Sequence, residues 1–520
     1  MKKLATLLLA AGLVFGMSAG ASAIDFKAKG LWIMAFDYGQ NGGFTGGNGQ
    51  TGYARNGIGS GEDEFEARQR VRLQLDAVAS ESLSGTVFFE INNTWGRHDT
   101  GGALGADQTD RIALKNAYLD WVVPETDLKV RMGIQGMALP SFTTGSNVFN
   151  DDVAGIVLSY KFNDNAALTA LWARPFNDNY NSTYYTSISS YRTNYMDNVD
   201  TVALILPLTF DGVKVTPWGM YTAIGPNATI GDLTKLSKLA SSGYIVPGML
   251  PAFGALHKDG TAVTKRLDSY GDAWWAGLTG EVTTFDPFRI AWDFNYGSVA
   301  YDDGHYDRKG WLASLLFEYK LDWGIPGLYG WYASGDDNDP SNGSERMPSF
   351  SNSNNNNGFA SFAFNGNPLI GERDRVLSTN MTGTWGIGAR LKNVSFVEDL
   401  KHTLRLNYIG GTNNTTMAKK YMTGTHGGLY NASSTRVSGP IGGPAAGLDP
   451  LYLTTQDGAV EIGLTTEYQM YENFKIYMDA SYIATILDQS SSVWGNSHMN
   501  GASDQVRDPW NINLNFVYSF

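Results

Sequence analysis

Three arginines at alternating positions are the sharpest chemical pattern in the chain. Arg68, Arg70 and Arg72 alternate with Val71 and Leu73 in the stretch EFEARQRVRLQLD. Because successive side chains of an extended strand point to opposite faces, the arginines form a column on one face and the aliphatic residues lie on the other. Stacked guanidinium groups create a positive field that attracts anions and orients polar solutes.

The same column has a second interpretation. Its cations can instead pair with carboxylates and hold that face together, and the two roles are compatible. The candidate carboxylates are Glu64, Glu66, Asp76 and Glu90. Lys129 and Arg131 alternate with apolar residues in a later stretch, so we expect them to extend the same charged wall.

The elements that carry these residues repeat along the chain. The last ten residues, NINLNFVYSF, alternate Asn or small residues with large apolar ones and end on Phe520. Similar alternation indicates about 18 strands, with about 16 as the alternative count. The connections strictly alternate between very short and long. This predicts an all-β fold, a transmembrane antiparallel β-barrel with short periplasmic turns and long extracellular loops.

The N-terminus indicates export. Residues 1–23 contain two lysines, a short apolar stretch and an Ala-Ser-Ala cleavage pattern, which together predict a secretory signal peptide. The apolar stretch is shorter than the ~20 residues that a membrane-spanning helix needs. We therefore expect a single barrel domain over residues 24–520, located in the bacterial outer membrane.

Composition narrows the function classes. The formal net charge of −13 argues against nucleic-acid binding, and the absence of cysteine excludes disulfides and thiolate chemistry. Aromatic residues gather beside the short turns, as expected where rings lie at the level of lipid headgroups. These residues are Trp121, Phe162, Phe210, Phe285, Phe288, Trp323, Phe396, Tyr468, Tyr471, Phe474 and Phe520.

These features together resemble the trimeric general porins of Gram-negative bacteria, and most closely the homotrimeric porins of sulfate-reducing bacteria. Besides the arginine column and terminal Phe520, the stretches NAYLDW (116–121) and RMGIQGMALP (131–140) carry the resemblance. It implies that the last strand pairs with the first, that Phe520 is part of the signal read by the outer-membrane assembly machinery, and that the chain forms a homotrimer. The loop at 94–110 is a candidate for latching onto a neighbouring copy.

The resemblance also implies a constriction. The loop at 138–152 would fold into the barrel, with Asp151 and Asp152 facing the arginine column. The loop departs from its enterobacterial counterpart, because PSFTT (140–144) stands where those porins have PEFGG. The two aspartates are alternatively ordinary residues at the start of the sixth strand.

The expected function is a water-filled channel for passive diffusion of small hydrophilic solutes and ions. Two alternatives stay open: a substrate-specific channel for a sugar or a carboxylate, and a surface adhesin or structural barrel. No enzyme is expected, because no GxSxG or HExxH pattern occurs and the six histidines are scattered. No cofactor is expected either, although the acidic stretch GDDND (335–339) is a candidate for a loop-bound divalent cation. The remaining expected partners are outer-membrane lipid and lipopolysaccharide.

Overall fold

A computed structural model gives the fold. It describes residues 24–40, 65–98, 101–105, 112–177, 198–226, 247–251, 255–261, 263, 267–349, 359–360, 362–370, 381–417, 452–488 and 508–520. The predicted signal peptide, residues 1–23, lies outside these ranges. Within them, no helix is long and apolar enough to cross a membrane.

The stretches in which apolar and polar residues alternate form 18 antiparallel strands, and these strands make up the barrel wall. The strands are β1 (Asp25–Gln40), β2 (Glu66–Ser80), β3 (Leu83–Thr94), β4 (Ala113–Val122), β5 (Leu128–Ala138), β6 (Asn150–Lys161), β7 (Ala167–Asn177), β8 (Asn198–Ile205 and Leu208–Phe210), β9 (Val213–Ile224), β10 (Gly271–Val282), β11 (Phe288–Ala300), β12 (Arg308–Tyr319), β13 (Ile325–Ala333), β14 (Thr384–Val397), β15 (Leu400–Gly411), β16 (Gly458–Tyr471), β17 (Phe474–Ile486) and β18 (Trp510–Ser519). β8 is interrupted at Leu206 and Pro207, and both of its pieces pair with β9. The higher predicted count is therefore confirmed, and sixteen was wrong.

The barrel closes where β18 pairs antiparallel with β1, from Leu31 opposite Ser519 to Gln40 opposite Trp510. The terminal residue extends this seam: the Gly30 amide donates to the Phe520 carbonyl oxygen at 2.9 Å, and the Phe520 amide donates to the Gly30 carbonyl oxygen at 3.1 Å. A Cβ atom at position 30 would lie 2.5 Å from the Phe520 ring, so a side chain there would require the ring to move. Closure pairs both edge strands, which lipid would otherwise leave unsatisfied.

The two faces of the wall differ as a membrane barrel requires. Outward side chains such as Ile387, Leu404 and Ile462 are half exposed, whereas inward side chains such as Asn513 and Thr201 are fully buried. Of the aromatic residues predicted beside the short turns, all but Phe474 are exposed at the outer surface. The apolar belt thus faces lipid, and the polar residues face the interior.

Helical structure is confined to the connections. The described helical stretches include one α-helical turn, α1 (Phe362–Asn365), two short 3-10 turns, Pro247–Met249 and Gly304–Tyr306, and residues 415–417. α1 belongs to the long connection between β13 and β14. This connection and the one between β5 and β6 both enter the barrel.

Candidate functional site

The connection between β5 and β6, residues 139–149, leaves the wall and docks on the inner faces of β10, β11 and β12. We call it the first inserted loop. Its tip is held by the Asp293 carboxylate of β11, which accepts hydrogen bonds from Ser141 Oγ at 2.5 Å, from the Phe142 amide at 2.9 Å, and from the Thr143 amide at 3.2 Å and its hydroxyl. Asp293 is 4% exposed. A buried carboxylate with this many donors is a strong anchor, because hydrogen bonds to a charged acceptor exceed neutral ones in strength.

Three more contacts fix the loop across the interior. Arg289 Nη2 donates to the Phe142 carbonyl oxygen at 3.0 Å. Further along, the Asn147 side chain accepts from the Met381 amide at 3.2 Å, and its carbonyl oxygen accepts from Ser349 Oγ at 3.0 Å. Met381 and Ser349 both belong to the connection between β13 and β14. The two long connections are therefore joined to each other inside the barrel.

That second connection supplies residues 359–360 and 362–370, which we call the second inserted segment. The Phe359 carbonyl oxygen accepts from Tyr329 Oη of β13 at 2.5 Å and from Asn407 Nδ2 of β15 at 3.0 Å. The Phe359 ring stacks on Tyr329 with centroids 4.2 Å apart. Next, the Ala363 amide donates to Glu461 of β16 at 3.1 Å. The segment thus lies along the inner wall from β13 to β16.

The far end of this segment covers the closure seam. Asn367 Nδ2 donates to Asp37 Oδ1 of β1 at 2.6 Å and to Asn515 Oδ1 of β18 at 2.9 Å. Ile370 packs against Ile33 in a small buried cluster on β1. The polar face of NINLNFVYSF is buried: Asn511, Asn513 and Asn515 are fully buried, and Asn367 of the segment lies against Asn515.

A buried arginine organises the outer loops above these insertions. Arg308, at the outer end of β12, is fully buried and donates to the carbonyl oxygens of Arg346, Leu250 and Met347 at 3.1, 3.0 and 2.9 Å. Two main-chain segments, at Leu250 and at 346–347, therefore meet on one guanidinium group, which presents five N–H donors. In the neighbouring 3-10 turn, burial raises the pKa of Tyr306 to about 12.

The acidic stretch 335–339 is part of this outer assembly. Asp336 is buried and accepts from Ser344 Oγ at 2.5 Å and from Tyr452 Oη at 2.9 Å. Burial, together with the charges of Asp336 and Asp337, raises the pKa of Glu345 above its ordinary range. Among the residues that the structure describes, no group of three or more acidic or histidine side chains is arranged to hold a metal ion. The described contacts of Asp336 are those of a loop brace.

The arginine column faces inward and each member meets a carboxylate. Arg68 Nη2 lies 2.7 Å from Asp37, Arg70 Nε lies 3.8 Å from Glu90, and Arg72 Nε lies 2.7 Å from Glu90. The exposed fractions of the three side chains are 10%, 6% and 26%, so only Arg72 offers much of its surface to the interior. The bracing role is thus present for the whole column.

Only some of the predicted carboxylate partners contact the arginine column. Glu90 is a partner, and Glu66 lies 3.6 Å from Arg68. Asp76 instead accepts from Thr86 and Gln74, and Glu64 lies outside the described residues. Asp37 was missed because it is 31 positions from Arg68 and reaches it only through the pairing of β1 with β2.

Lys129 and Arg131 line a separate cavity of about 510 Å³ on the inner faces of β4 to β8. Arg131 forms two hydrogen bonds with Asp120, Nε to Oδ1 at 2.7 Å and Nη2 to Oδ2 at 2.8 Å. Its guanidinium carbon also lies 4.2 Å from the centre of the Tyr118 ring. Arg131 is thus oriented by its neighbours while it faces the cavity.

The structure places Asp151 and Asp152, the two aspartates of the 138–152 loop, on opposite faces of the wall. Both lie in β6 rather than in the inserted loop, as the alternative interpretation had it. Asp151 pairs with Met137 on the inward face, whereas Asp152 pairs with Gly136 and shares the outward face with Ile156. Asp152 bonds to Lys115 and to Asn116 Nδ2, the latter at 2.8 Å. The acidic group that meets the inserted loop is therefore Asp293, and Asp152 does not face the arginine column.

A belt of alternating charges crosses the inner wall below the loops. Three cations surround Glu318 of β12: Arg289 at 2.9 Å, Arg390 at 2.8 Å and Lys392 at 3.2 Å. Glu281 of β10 joins Arg289 at 2.9 Å to Lys214, also at 2.9 Å. The sequence did not show that these groups meet, because they lie on five different strands.

No family model matches the chain, and no curated protein matches it. The solved structures that are similar to this chain include the following three. Pseudomonas aeruginosa OpdQ is 11% identical with a TM-score of 0.49, over 95% of this chain and 98% of that chain. Acinetobacter baumannii OccAB3 is 10% identical with a TM-score of 0.48, over 95% and 100%. Pseudomonas aeruginosa OccK11 (OpdR) is 10% identical with a TM-score of 0.47, over 95% and 96%.

The chain's own architecture defines its class. A closed barrel of 18 strands with an apolar outer belt, a polar interior and long connections on one side is a bacterial outer-membrane β-barrel of the porin type. The fold and the location are thus those expected from the sequence. Membership among the homotrimeric porins of sulfate-reducing bacteria stays a prediction, as do the signal peptide and the absence of enzymatic activity.

Proposed function

We propose that the protein is a selective outer-membrane channel for small hydrophilic solutes, rather than a pore that sorts solutes by size alone. The observation that carries this proposal is the pair of insertions. The first inserted loop docks on β10 to β12, and the second inserted segment lies on β13 to β16 and reaches β18 and β1. Together they cover much of the inner wall, so solutes must pass close to fixed charged groups.

The charged groups along this path support selection by charge. Arg72, Arg131 and the belt around Glu318 are all inward-facing and held by ion pairs. A pre-oriented charge in a narrow, partly dry passage acts more strongly on a solute than the same charge in bulk water. This supports the substrate-specific alternative over general diffusion.

The test is a liposome-swelling assay with the refolded protein and pairs of solutes of equal size but different charge. A selective channel separates the members of a pair, whereas a general pore ranks all solutes by size. Permeation rates that follow solute size alone would instead support a general-diffusion porin. Failure of properly inserted protein to pass any solute would move the function to the outer loops, as in an adhesin.

We also propose that the protein assembles as a homotrimer through the outward faces of β4 to β6. Elsewhere, aromatic side chains occupy outward positions near the outer ends of the strands: Tyr38, Tyr221, Trp274, Tyr296, Trp311, Tyr332, Trp385, Tyr408, Tyr482 and Trp510. The exposed rings of Phe65 and Trp95 continue this set at the outer ends of β2 and β3, whereas on β4 to β6 the corresponding positions carry small or polar residues, among them Lys115, Gly136 and Asp152.

A gap in the aromatic belt filled by polar groups suits contact with protein better than contact with lipid. Because the chain has no cysteine, single cysteines report this contact cleanly. We expect Gly136→Cys to cross-link between copies in membranes, and Leu404→Cys, on the outward face of β15, to stay monomeric. The reverse pattern would contradict the proposed face. Contacts with lipopolysaccharide and with the assembly machinery through Phe520 remain part of this proposal.

A further inference from the structure

A cavity of about 540 Å³ lies beneath the second inserted segment. Inward side chains of β15 to β18 form its wall, and Pro368 and Leu369 of the segment line its inner end. Glu472 and Asn473, in the short turn between β16 and β17, lie at its other end. The cavity therefore faces the periplasmic side of the barrel.

A row of three polar side chains crosses this cavity on neighbouring strands. Arg405 Nη1 of β15 donates to Thr465 Oγ1 of β16 at 2.7 Å, and the same hydroxyl donates to Asp479 Oδ1 of β17 at 2.6 Å. All three lie on the inward face, and Arg405 and Asp479 both line the cavity. The cation and the anion are thus joined through a hydroxyl group rather than by a direct ion pair.

The row has bonding capacity that its neighbours do not use. Arg405 Nε and Asp479 Oδ2 are buried and have no hydrogen-bond partner within the described part of the chain. Such groups are expensive in free energy unless something complements them. One vacant donor and one vacant acceptor on opposite charges define a dipolar site.

The charged groups around the row are already engaged. Lys475 Nζ lies 2.8 Å from Glu467 at the cavity wall. Arg390, directly opposite Arg405 in the pairing of β14 with β15, lies 2.8 Å from Glu318. Glu461 accepts from the Ala363 amide and from Asn407, at 3.1 and 2.9 Å. Arg405 and Asp479 are therefore a pair without a direct counter-ion, and because Asp479 is fully buried, a solute reaches its carboxylate only by displacing the side chains that cover it.

We propose that this row binds a zwitterionic solute, a small α-amino acid with an apolar side chain. Its carboxylate accepts from the Arg405 guanidinium, and its ammonium donates to Asp479 Oδ2. Its side chain contacts the apolar part of the cavity, formed by Pro368, Leu369 and Val517. This inference rests on the proposed function, because it names a solute class for the selective channel.

The test uses three solutes with the same isobutyl side chain: L-leucine, 4-methylpentanoate, which lacks the ammonium group, and 3-methylbutylamine, which lacks the carboxylate. Each is added to the short-turn side of the refolded full chain in a planar bilayer, and block of the single-channel current gives an apparent dissociation constant. We expect leucine to bind at least tenfold more tightly than either analogue, a difference of about 1.4 kcal/mol.

Two isosteric or near-isosteric variants separate the two contacts. Asp479→Asn should remove the advantage of leucine over 4-methylpentanoate, and Arg405→Gln should remove its advantage over 3-methylbutylamine. Thr465→Val should weaken leucine block with no change in charge. Lys401→Gln, which removes a cation from the same face of β15 outside the row, is the matched control and should leave leucine block unchanged.

The outcomes distinguish the site from the channel. Equal block by leucine and 4-methylpentanoate, unaffected by Asp479→Asn, would overturn the zwitterion site and leave a plain anion site. No block by any of the three solutes in a conducting channel would overturn the site while the proposed function stands. Absence of conductance from inserted barrels would overturn the proposed function itself, and this inference with it.

Discussion

Replacing Asp293 with alanine should release the tip of the first inserted loop. The carboxylate accepts four hydrogen bonds from residues 141–143, and its removal leaves the Thr143 amide without its described acceptor. The base of the loop should stay in place, because Leu139 and Phe149 are buried in the main apolar cluster. The expected change is thus local undocking rather than unfolding of the barrel.

The magnitude follows from the bonds. At about 1.5 kcal/mol each, the low end for hydrogen bonds to a charged group, four bonds contribute about 6 kcal/mol. Water in the interior replaces part of this in the variant, so we expect a net loss of about 3 kcal/mol in docking free energy. That corresponds to roughly a 150-fold larger undocked population.

The absence of cysteine makes the assay clean. Thr144, next to the bonded tip, is 3% exposed. In a Thr144→Cys background, modification by a charged thiol reagent should accelerate by about two orders of magnitude when Asp293→Ala is added. The single-channel current should also become larger or noisier. Asp293→Asn, which keeps one acceptor oxygen, should be intermediate.

The matched control is Asp120→Ala, which removes an inward carboxylate that pairs with Arg131 on the wall and has no described bond to the loop. It should leave the thiol modification rate unchanged. Equal rates in the Asp293→Ala variant and in the parent would refute the anchoring role of Asp293, and an equal acceleration by Asp120→Ala would show that any loss of inner-wall charge loosens the loop.

Three further perturbations have expected outcomes. Arg308→Met should leave three buried carbonyl oxygens without a donor and make the outer loops sensitive to proteolysis while the barrel persists, which limited digestion would show; unchanged digestion would contradict the role of Arg308. Glu90→Gln should raise anion preference more than Arg72→Ala lowers it, because the first change frees two cations and the second removes one that is already paired; reversal potentials in a salt gradient compare them. The pKa of Glu345 is raised, which means that the folded loops bind its proton more tightly than the unfolded chain does. The stability of the loops should therefore fall as the pH rises through and above the ordinary glutamate range. Glu345→Gln should abolish this pH dependence in hydrogen-exchange measurements of the loops.

The local sequence pattern was sufficient to predict the strands of the barrel wall and their two faces. Alternation has a period of two residues, so a short window reports both the strand and its two faces. This correctly identified NINLNFVYSF as a strand and put Arg68, Arg70 and Arg72 on one face, whereas the pairing of that strand with the first was implied by the resemblance to porins. Strand number followed from counting such windows and from the alternation of short and long connections.

Which inward groups meet was decided only by the tertiary structure. Asp293 and Thr143 are 150 positions apart, and Asn367 and Asp37 are 330 apart. No periodicity reports on such pairs, because they depend on where irregular loops travel inside the closed barrel. Of the partners of the arginine column, Glu90 and Glu66 were among the predicted carboxylates, whereas Asp37 on the adjoining strand was not.

The fate of the terminal asparagines shows the division most clearly. The sequence by itself determined that Asn511, Asn513 and Asn515 share the inner face of the last strand, because alternate side chains of a strand point to the same side. It did not determine whether that face meets water. The second inserted segment covers it, through Asn367, and turns an inner wall into a buried core. The direction in which a side chain points is a local property of the backbone, whereas its burial depends on every chain segment that reaches the same place.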